Sequence, residues 1–127
     1  MEKGLTFAEF ADINRARCES LAGFNHPLSA WSASDWMTAL MGEVGEAANV
    51  VKKLNRCRDA ARGLCRPDAN GATEDELRVQ LRKELGDVFV YLDLLAQALD
   101  FHIEDAAVEV FDAKSVQISY PGQMRSQ

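Results

Sequence analysis

A chain of 127 residues with 47% hydrophobic and 27% charged residues has an ordinary globular composition, which argues against disorder. The net charge of −6 makes it a poor general binder of nucleic acid, although a metal ion can carry a phosphate substrate into an acidic site. No apolar run reaches the length of a membrane span, and the N-terminus lacks a signal-peptide apolar region. We therefore expect one domain over residues 1–127, without a nucleic-acid polymer or a membrane as partner.

The first half of the chain predicts two helices separated by a loop. Thr6 and Glu9 have capping-box spacing, so the first helix should begin at Thr6. Residues 23–34 are predicted to form a loop, the second helix should start within residues 32–35, and its end should fray within residues 56–63. The apolar side of this second helix is expected to contain Trp36, Leu40, Val44, Ala47, Val51 and Leu54.

The second half predicts a loop and two more helices. Residues 63–71 are rich in breaker residues and look like a loop insertion. Thr73 and Glu76 form a second capping-box pattern that should open the third helix, and the fourth helix is expected over about 103–118. The apolar stripe of the third helix is expected to contain Leu77, Leu81, Leu85, Val88, Leu92, Leu95 and Leu99.

Four amphipathic helices with short connections predict an all-α, four-helix bundle. The wide apolar arcs of helices two and three favour partner helices from a second subunit, so we expect oligomerisation through these two helices. An odd number of cysteines without a secretory signal predicts reduced thiols and a cytoplasmic location.

Two four-residue patterns each place two acids three positions apart, which is close to one helical turn. The first holds Glu43 and Glu46, and the second holds Glu84 and Asp87. Glu43 and Glu84 fall among core-facing positions, where ionised carboxylates are costly without a counter-ion. All-oxygen ligands favour Mg²⁺ or Mn²⁺, so these acids are candidate metal ligands. A solvated acidic face is the alternative that spacing alone leaves open.

The segments that carry these acids, GEVGEAANVVKKL and KELGDVFVYLDLLA, resemble the signature of the MazG-like all-α nucleoside triphosphate pyrophosphohydrolases. The similarity extends from about Phe7 to Met124 and includes dCTP pyrophosphatase-like members. The resemblance implies a helical bundle that forms a homodimer or homotetramer. It also implies Mg²⁺-dependent cleavage of a (deoxy)nucleoside triphosphate into monophosphate and pyrophosphate, with nucleotide-pool sanitation as one role. The implied metal ligands are Glu43, Glu46, Glu84 and Asp87.

The chain departs from the family pattern at several positions. Gly42 precedes Glu43 where one family version has an acid, and residues 63–71 lengthen the gap between the acid pairs. Asp112 stands where the family commonly has asparagine, and basic residues usual near the tail's end are absent. Asp112 is kept as a substrate-binding candidate, and the substrate range stays open.

Candidate residues for catalysis and phosphate binding lie on the second helix. Either Glu43 or Glu46 is expected to take the proton of the attacking water. Lys53 lies two turns after Glu46 on the same face and is the phosphate-binding candidate. The basic run around Lys53 also fits a solvated face that complements the helix dipole.

Aromatic residues are the candidates for stacking on the base. Tyr91 follows Asp87 by one turn, and the family resemblance supports a place near the nucleotide. Trp31 and Trp36 lie before and at the start of the second helix and could wall a base pocket. For Trp36, core packing is the competing interpretation.

Two other classes of function compete with a pyrophosphohydrolase. A di-metal carboxylate oxidoreductase on a four-helix bundle pairs a glutamate with a histidine three residues later, and neither acid pair here has one. A non-catalytic helical interaction or regulatory bundle that retains the scaffold is the second alternative, and the altered tail favours it. Pyrophosphate release from a nucleotide panel would discriminate between enzyme and interaction bundle.

Overall fold

A computed structural model describes residues 3–125, so the first and last two residues of the predicted domain lie outside it. Within this range there are helices and no strand, which confirms the predicted all-α fold class. No helix in the described range is long and apolar enough to cross a membrane. The helices are α1 (Phe7–Glu19), α2 (Ala33–Ala61), α3 (Glu74–Ala98) and α4 (Ile103–Gln117), with a short 3₁₀ helix at Leu28–Ala30.

The capping residues set the starts of α1 and α3 as predicted. The Thr6 hydroxyl accepts the Glu9 N–H at 3.1 Å, and the Glu9 carboxylate accepts the Thr6 N–H at 2.7 Å. At α3, the Thr73 hydroxyl accepts the Glu76 N–H at 3.2 Å. Each hydroxyl satisfies a backbone donor that has no partner inside the helix.

Gly63 ends α2 and starts the predicted loop. Its φ of 75° is left-handed, a conformation that glycine adopts without a steric penalty. The Leu64 N–H donates to the Asp59 carbonyl at 2.9 Å, and the Gly63 N–H donates to the Ala60 carbonyl at 3.1 Å. This Schellman arrangement satisfies the last carbonyls of α2 and turns the chain into the exposed connection to α3.

The chain divides into two compact units. The central unit is Ser34–Tyr91, and the terminal unit combines the described parts of Met1–Ala33 and Leu92–Gln127. A single domain over residues 1–127 therefore stays a prediction.

The terminal unit contains a buried polar cluster that joins α1 to the last turns of α3. Asp93 is 2% exposed, and its Oδ2 accepts hydrogen bonds from Asn14 Nδ2 and Gln97 Nε2, both at 2.8 Å. Gln97 Nε2 also donates to the Ala11 carbonyl at 3.1 Å. Amide donors thus replace the water that the carboxylate loses on burial.

The buried residues of the central unit are mostly those predicted, but the apolar arcs are only partly covered. Val44 and Val51 of α2 are exposed, whereas Val50 is buried in their place. Leu85 of α3 is 53% exposed, and in the terminal unit Leu99 lies exposed just beyond the end of α3. A single chain therefore buries only one side of each predicted apolar stripe. The buried apolar residues of this unit are Trp36, Leu40, Ala47, Val50 and Leu77.

Candidate metal centre

Three carboxylates from two helices of the central unit converge. One oxygen each from Glu43 of α2 and from Glu84 and Asp87 of α3 lies within 4.8 Å of the other two. Glu84 and Asp87 point the same way because they are about one turn apart on α3. Glu43 and Glu84 are half-buried and Asp87 is exposed, so the cluster lies at the edge of the protein interior.

Glu46 lies on the exposed side of this cluster, one turn after Glu43. Its carboxyl group is close enough to Glu43 and Glu84 to share hydrogen bonds with both and to raise the pKa of each. The structure thus places Glu46 beside the three converging acids, and its predicted role as a metal ligand stays a prediction.

Burial and mutual repulsion both disfavour the charged state of these acids. Burial is the largest cause that raises the pKa of Glu43, followed by the charges of Glu46 and Asp87. Burial also contributes most to the raised pKa of Glu84, ahead of its hydrogen bond with Glu46. The ion pairs found within residues 3–125 include none of the four acids, so no cationic side chain there offsets their charge in a salt bridge.

The buried oxygen of Glu84 tests whether these residues fit a metal ion. Glu84 Oε2 is buried and has no hydrogen-bond donor within the described part of the chain. An unsatisfied buried oxygen is costly, and the cost rises when like charges surround it. A divalent cation that prefers oxygen ligands, such as Mg²⁺ or Mn²⁺, would satisfy it and neutralise its neighbours. The residues present therefore fit such an ion.

Lys53 lies on the rim of a cavity of about 540 Å³ in the central unit, which we call the loop cavity. Its walls are the C-terminal half of α2, the start of α3 and residues 67–72 between them. Arg56 and Gln80 also line it, and sequence reasoning did not single them out as site residues. Gln80 stands four residues before Glu84, so helical spacing could have identified it.

The aromatic candidates lie in different surroundings. Tyr91 is half-buried, one turn beyond Asp87 on α3. Trp36 is 1% exposed, which agrees with the competing interpretation of core packing, and its contact with a base stays a prediction. Trp31, in the terminal unit, meets the His26 ring edge-on at 4.6 Å between centroids. Base contacts by Tyr91 and Trp31 stay predictions.

Asp112 has a structural partner in the terminal unit. Its Oδ1 accepts the Met124 N–H at 2.8 Å, which ties the C-terminal segment to α4. Asp105 of the same helix pairs with Arg125 in that segment. Substrate contact by Asp112 stays a prediction, and any such contact would compete with this hydrogen bond.

The fold and the site define an all-α protein with a carboxylate centre shared by two helices. The family model of the MazG nucleotide pyrophosphohydrolase domain matches residues 32–114, a span that includes all four acids. The chain therefore belongs to the MazG nucleotide pyrophosphohydrolase family, and its helices are those of the predicted MazG-like type.

One curated relative is a phage protein. The chain is 35% identical to the Gene 37 protein of Mycobacterium phage L5 over 83 residues, which is 65% of this chain. The alignment covers 55% of the phage protein, whose name states no activity. No solved structure matches the chain significantly.

Proposed function

We propose that this protein hydrolyses a (deoxy)nucleoside triphosphate to the monophosphate and pyrophosphate, with Mg²⁺ as cofactor and Mn²⁺ as a substitute. The observation that carries the proposal is the convergence of Glu43, Glu84 and Asp87, together with a buried Glu84 oxygen that has no donor within residues 3–125. Membership of the MazG nucleotide pyrophosphohydrolase family supports the reaction class. Nucleotide-pool sanitation is the cellular role that fits this chemistry.

The four acids have two different roles in the proposed reaction. Glu43, Glu84 and Asp87 would hold the divalent ion, which supplies positive charge to orient the phosphates and stabilise the leaving pyrophosphate. Glu46 is exposed beside them and contributes no oxygen to the converging set, so we assign it the proton of the attacking water. As that water's oxygen bonds to the α-phosphorus, the bond from this phosphorus to the bridging oxygen breaks and pyrophosphate leaves.

Tyr91 is the proposed contact for the base. It follows Asp87 by one turn on α3, so its ring lies on the same face as the acids but further along the helix. An aromatic ring there offers a stacking surface of the kind that bases use.

An exposed apolar stripe on α2 supports the proposal of a homodimer through α2 and α3. Met37, Met41, Val44 and Val51 are all exposed, and their successive spacings of four, three and seven residues are those of a helix–helix seam. Leu85 adds an exposed apolar group on α3. A second copy would cover both helices, and a homotetramer would pair two such dimers. Light scattering of the Met41→Glu variant should show monomer if this seam is the interface.

Free thiols support the proposal of a cytoplasmic location. Cys18, Cys57 and Cys65 are all free, as a reducing compartment would keep them. We propose a small nucleotide, and no nucleic-acid polymer or membrane, as the partner of an acidic chain.

A nucleotide panel tests the proposed reaction. Purified protein should release monophosphate and pyrophosphate in equal amounts from at least one canonical or modified triphosphate with Mg²⁺, and none with EDTA. Glu84→Gln should lower kcat by about 100-fold or more because the metal loses a ligand. Glu74→Gln, an exposed acid on the same helix, is the matched control and should stay near the unaltered rate. Absence of pyrophosphate from every nucleotide tested would favour the non-catalytic interaction bundle.

A further inference from the structure

The loop cavity has no role in the reaction as described so far. Residues 67–72 close it against α2 and α3, and an ion pair between Arg56 Nε and Asp68 Oδ1 at 2.8 Å helps to hold this segment. The loop insertion at 63–71 thus forms part of a wall around a volume of about 540 Å³. That volume is within the range of small-molecule sites.

The loop cavity lies along the same face of the helix pair as the carboxylate centre. Lys53 stands two turns after Glu46 on α2, and Gln80 stands one turn before Glu84 on α3. Tyr91 lies on the other side of the acids along α3. The order along the central unit is therefore aromatic ring, carboxylates and loop cavity.

The charge of the loop cavity is opposite to that of the carboxylate centre. Lys53 takes part in none of the ion pairs found within residues 3–125, so its charge lies uncompensated on the cavity rim. The Arg56–Asp68 pair is about half exposed, and such pairs are weak enough for a phosphate to displace the carboxylate. Within the described part of the chain no aromatic ring lines the cavity, so these residues offer no stacking surface for a base.

The sequence around the loop cavity is basic although the chain as a whole has a net charge of −6. Residues 52–83 carry a net charge of +4 from nine basic and five acidic side chains. The basic residues are Lys52, Lys53, Arg56, Arg58, Arg62, Arg66, Arg78, Arg82 and Lys83, and the acidic ones are Asp59, Asp68, Glu74, Asp75 and Glu76. Of these residues, only Lys53, Arg56 and Asp68 line the cavity, so two basic groups and one acidic group give its lining a net charge of +1, which favours an anion.

We propose that the loop cavity binds the terminal phosphates of a nucleoside triphosphate whose α-phosphate lies at the carboxylate centre. This inference rests on the proposed function. Lys53 Nζ donates to the phosphate oxygens, the Gln80 amide donates beside it, and Arg56 joins them when Asp68 gives way. The backbone of Lys53 is about 10 Å beyond that of Glu46 along α2, a separation that the triphosphate chain and the lysine side chain together bridge. Residues 63–71 thus build a phosphate subsite that favours triphosphates over diphosphates.

Calorimetric binding of pyrophosphate with Mg²⁺ tests the subsite without any turnover. Lys53→Met should weaken pyrophosphate binding about tenfold, since one charge-assisted donor is lost. The matched control is Lys52→Met, which removes an equal charge from the neighbouring exposed position outside the cavity. Lys52→Met should change affinity less than about twofold, and circular dichroism should show both variants folded. Equal affinities for the two variants would overturn the proposal.

Kinetics separate this inference from the proposed function. The quantity to compare is kcat/KM for a triphosphate divided by kcat/KM for the corresponding diphosphate. This ratio should fall about tenfold in Lys53→Met, because KM for the triphosphate rises, and should not change in Lys52→Met. Hydrolysis with the same ratio in both variants would overturn the phosphate subsite and leave the pyrophosphohydrolase intact. If no nucleotide is hydrolysed, the proposed function fails, and the calorimetry alone decides whether the cavity binds pyrophosphate.

Asp68→Asn should strengthen pyrophosphate binding, whereas Lys53→Met should weaken it. Removing this carboxylate frees Arg56 from its ion pair, so pyrophosphate should bind about threefold more tightly. Asp59→Asn removes the same charge from the pair with Arg58 outside the cavity and should change affinity less. An equal gain in both variants would mean that only net charge matters and would overturn the role of Arg56.

Discussion

Helix α3 carries two carboxylates in opposite surroundings. Asp93, in the terminal unit, is deeply buried, and its Oδ2 accepts hydrogen bonds from Asn14 and Gln97. Glu84, in the central unit, is half-buried, and its Oε2 has no donor within residues 3–125. Its close neighbours are other acids, and burial raises its pKa. Asp93 Oδ2 thus has its hydrogen-bonding partners within the chain, whereas the buried Glu84 Oε2 has none within the described residues.

This difference separates a structural acid from a functional one better than burial does. The more deeply buried acid is the one whose environment is complete, because amide donors replace the water it loses. The less buried acid stands among groups that repel it, an arrangement that stabilises a fold poorly and binds a cation well. Replacing the carboxylate should therefore lower the stability of the fold at Asp93 and weaken metal binding at Glu84.

The largest stability effect is expected at Asp93. Asp93→Ala leaves the buried amides of Asn14 and Gln97 without their shared acceptor, which should lower the free energy of unfolding by about 2–4 kcal/mol. Asp93→Asn keeps an acceptor oxygen and should cost less. Urea denaturation of the metal-free protein measures both values. Equal losses in the two variants would show that the hydrogen bonds to Asp93 do not account for the cost.

Magnesium should have the next largest effect. An ion that binds only the folded state at 100 times its Kd stabilises it by about 2.7 kcal/mol. Thermal unfolding with and without Mg²⁺ should show this gain in the unaltered protein and in Glu74→Gln, but not in Glu84→Gln. If Mg²⁺ stabilised Glu84→Gln as much as the unaltered protein, the ion would bind elsewhere. Glu84 would then no longer differ from Asp93 as a functional acid.

Features that depend on local spacing could be predicted from the sequence. The starts of α1 and α3 follow from Thr6 and Thr73, which satisfy donors only three residues away. The meeting of Glu43 with Glu84 and Asp87 could also be predicted, because helical spacing sets Glu43 and Glu84 among core-facing positions and Asp87 one turn after Glu84.

Features that depend on contacts distant in sequence could not be predicted. Asn14 and Asp93 are 79 residues apart, and no periodicity indicates that they pair. The exposure of Val44 and Leu85 depends on which side of each apolar arc the chain covers, and the helical pattern alone does not decide this. The loop cavity likewise exists only because residues 67–72 fold against two helices.

The smallest expected effect is a pH dependence of stability that has opposite signs for the pair Glu43 and Glu84 and for Glu19. Burial raises the pKa values of Glu43 and Glu84. At pH values above the ordinary glutamate pKa, the folded metal-free protein therefore binds more protons than the unfolded protein. The stability they contribute is present below that range and is lost as pH rises through their raised pKa values. A Glu43→Gln/Glu84→Gln double variant should thus be more stable than the unaltered protein near pH 7, with the difference closing near pH 4.

Glu19 is the control for this measurement, because its contribution to stability should depend on pH in the opposite direction. Its pKa is lowered, first by the hydrogen bond from Arg15 at 2.7 Å and then by the Leu28 N–H at 3.0 Å. Its contribution is therefore present above the ordinary glutamate pKa and is lost as pH falls through the lowered value. Glu19→Gln should be less stable than the unaltered protein at pH 7, with the difference again closing at low pH. Thermal unfolding from about pH 2 to 7 without metal measures both differences, because the lowered pKa of Glu19 lies below the ordinary glutamate value. A destabilised double variant at pH 7 would mean that the acid cluster already stabilises the fold without a cation.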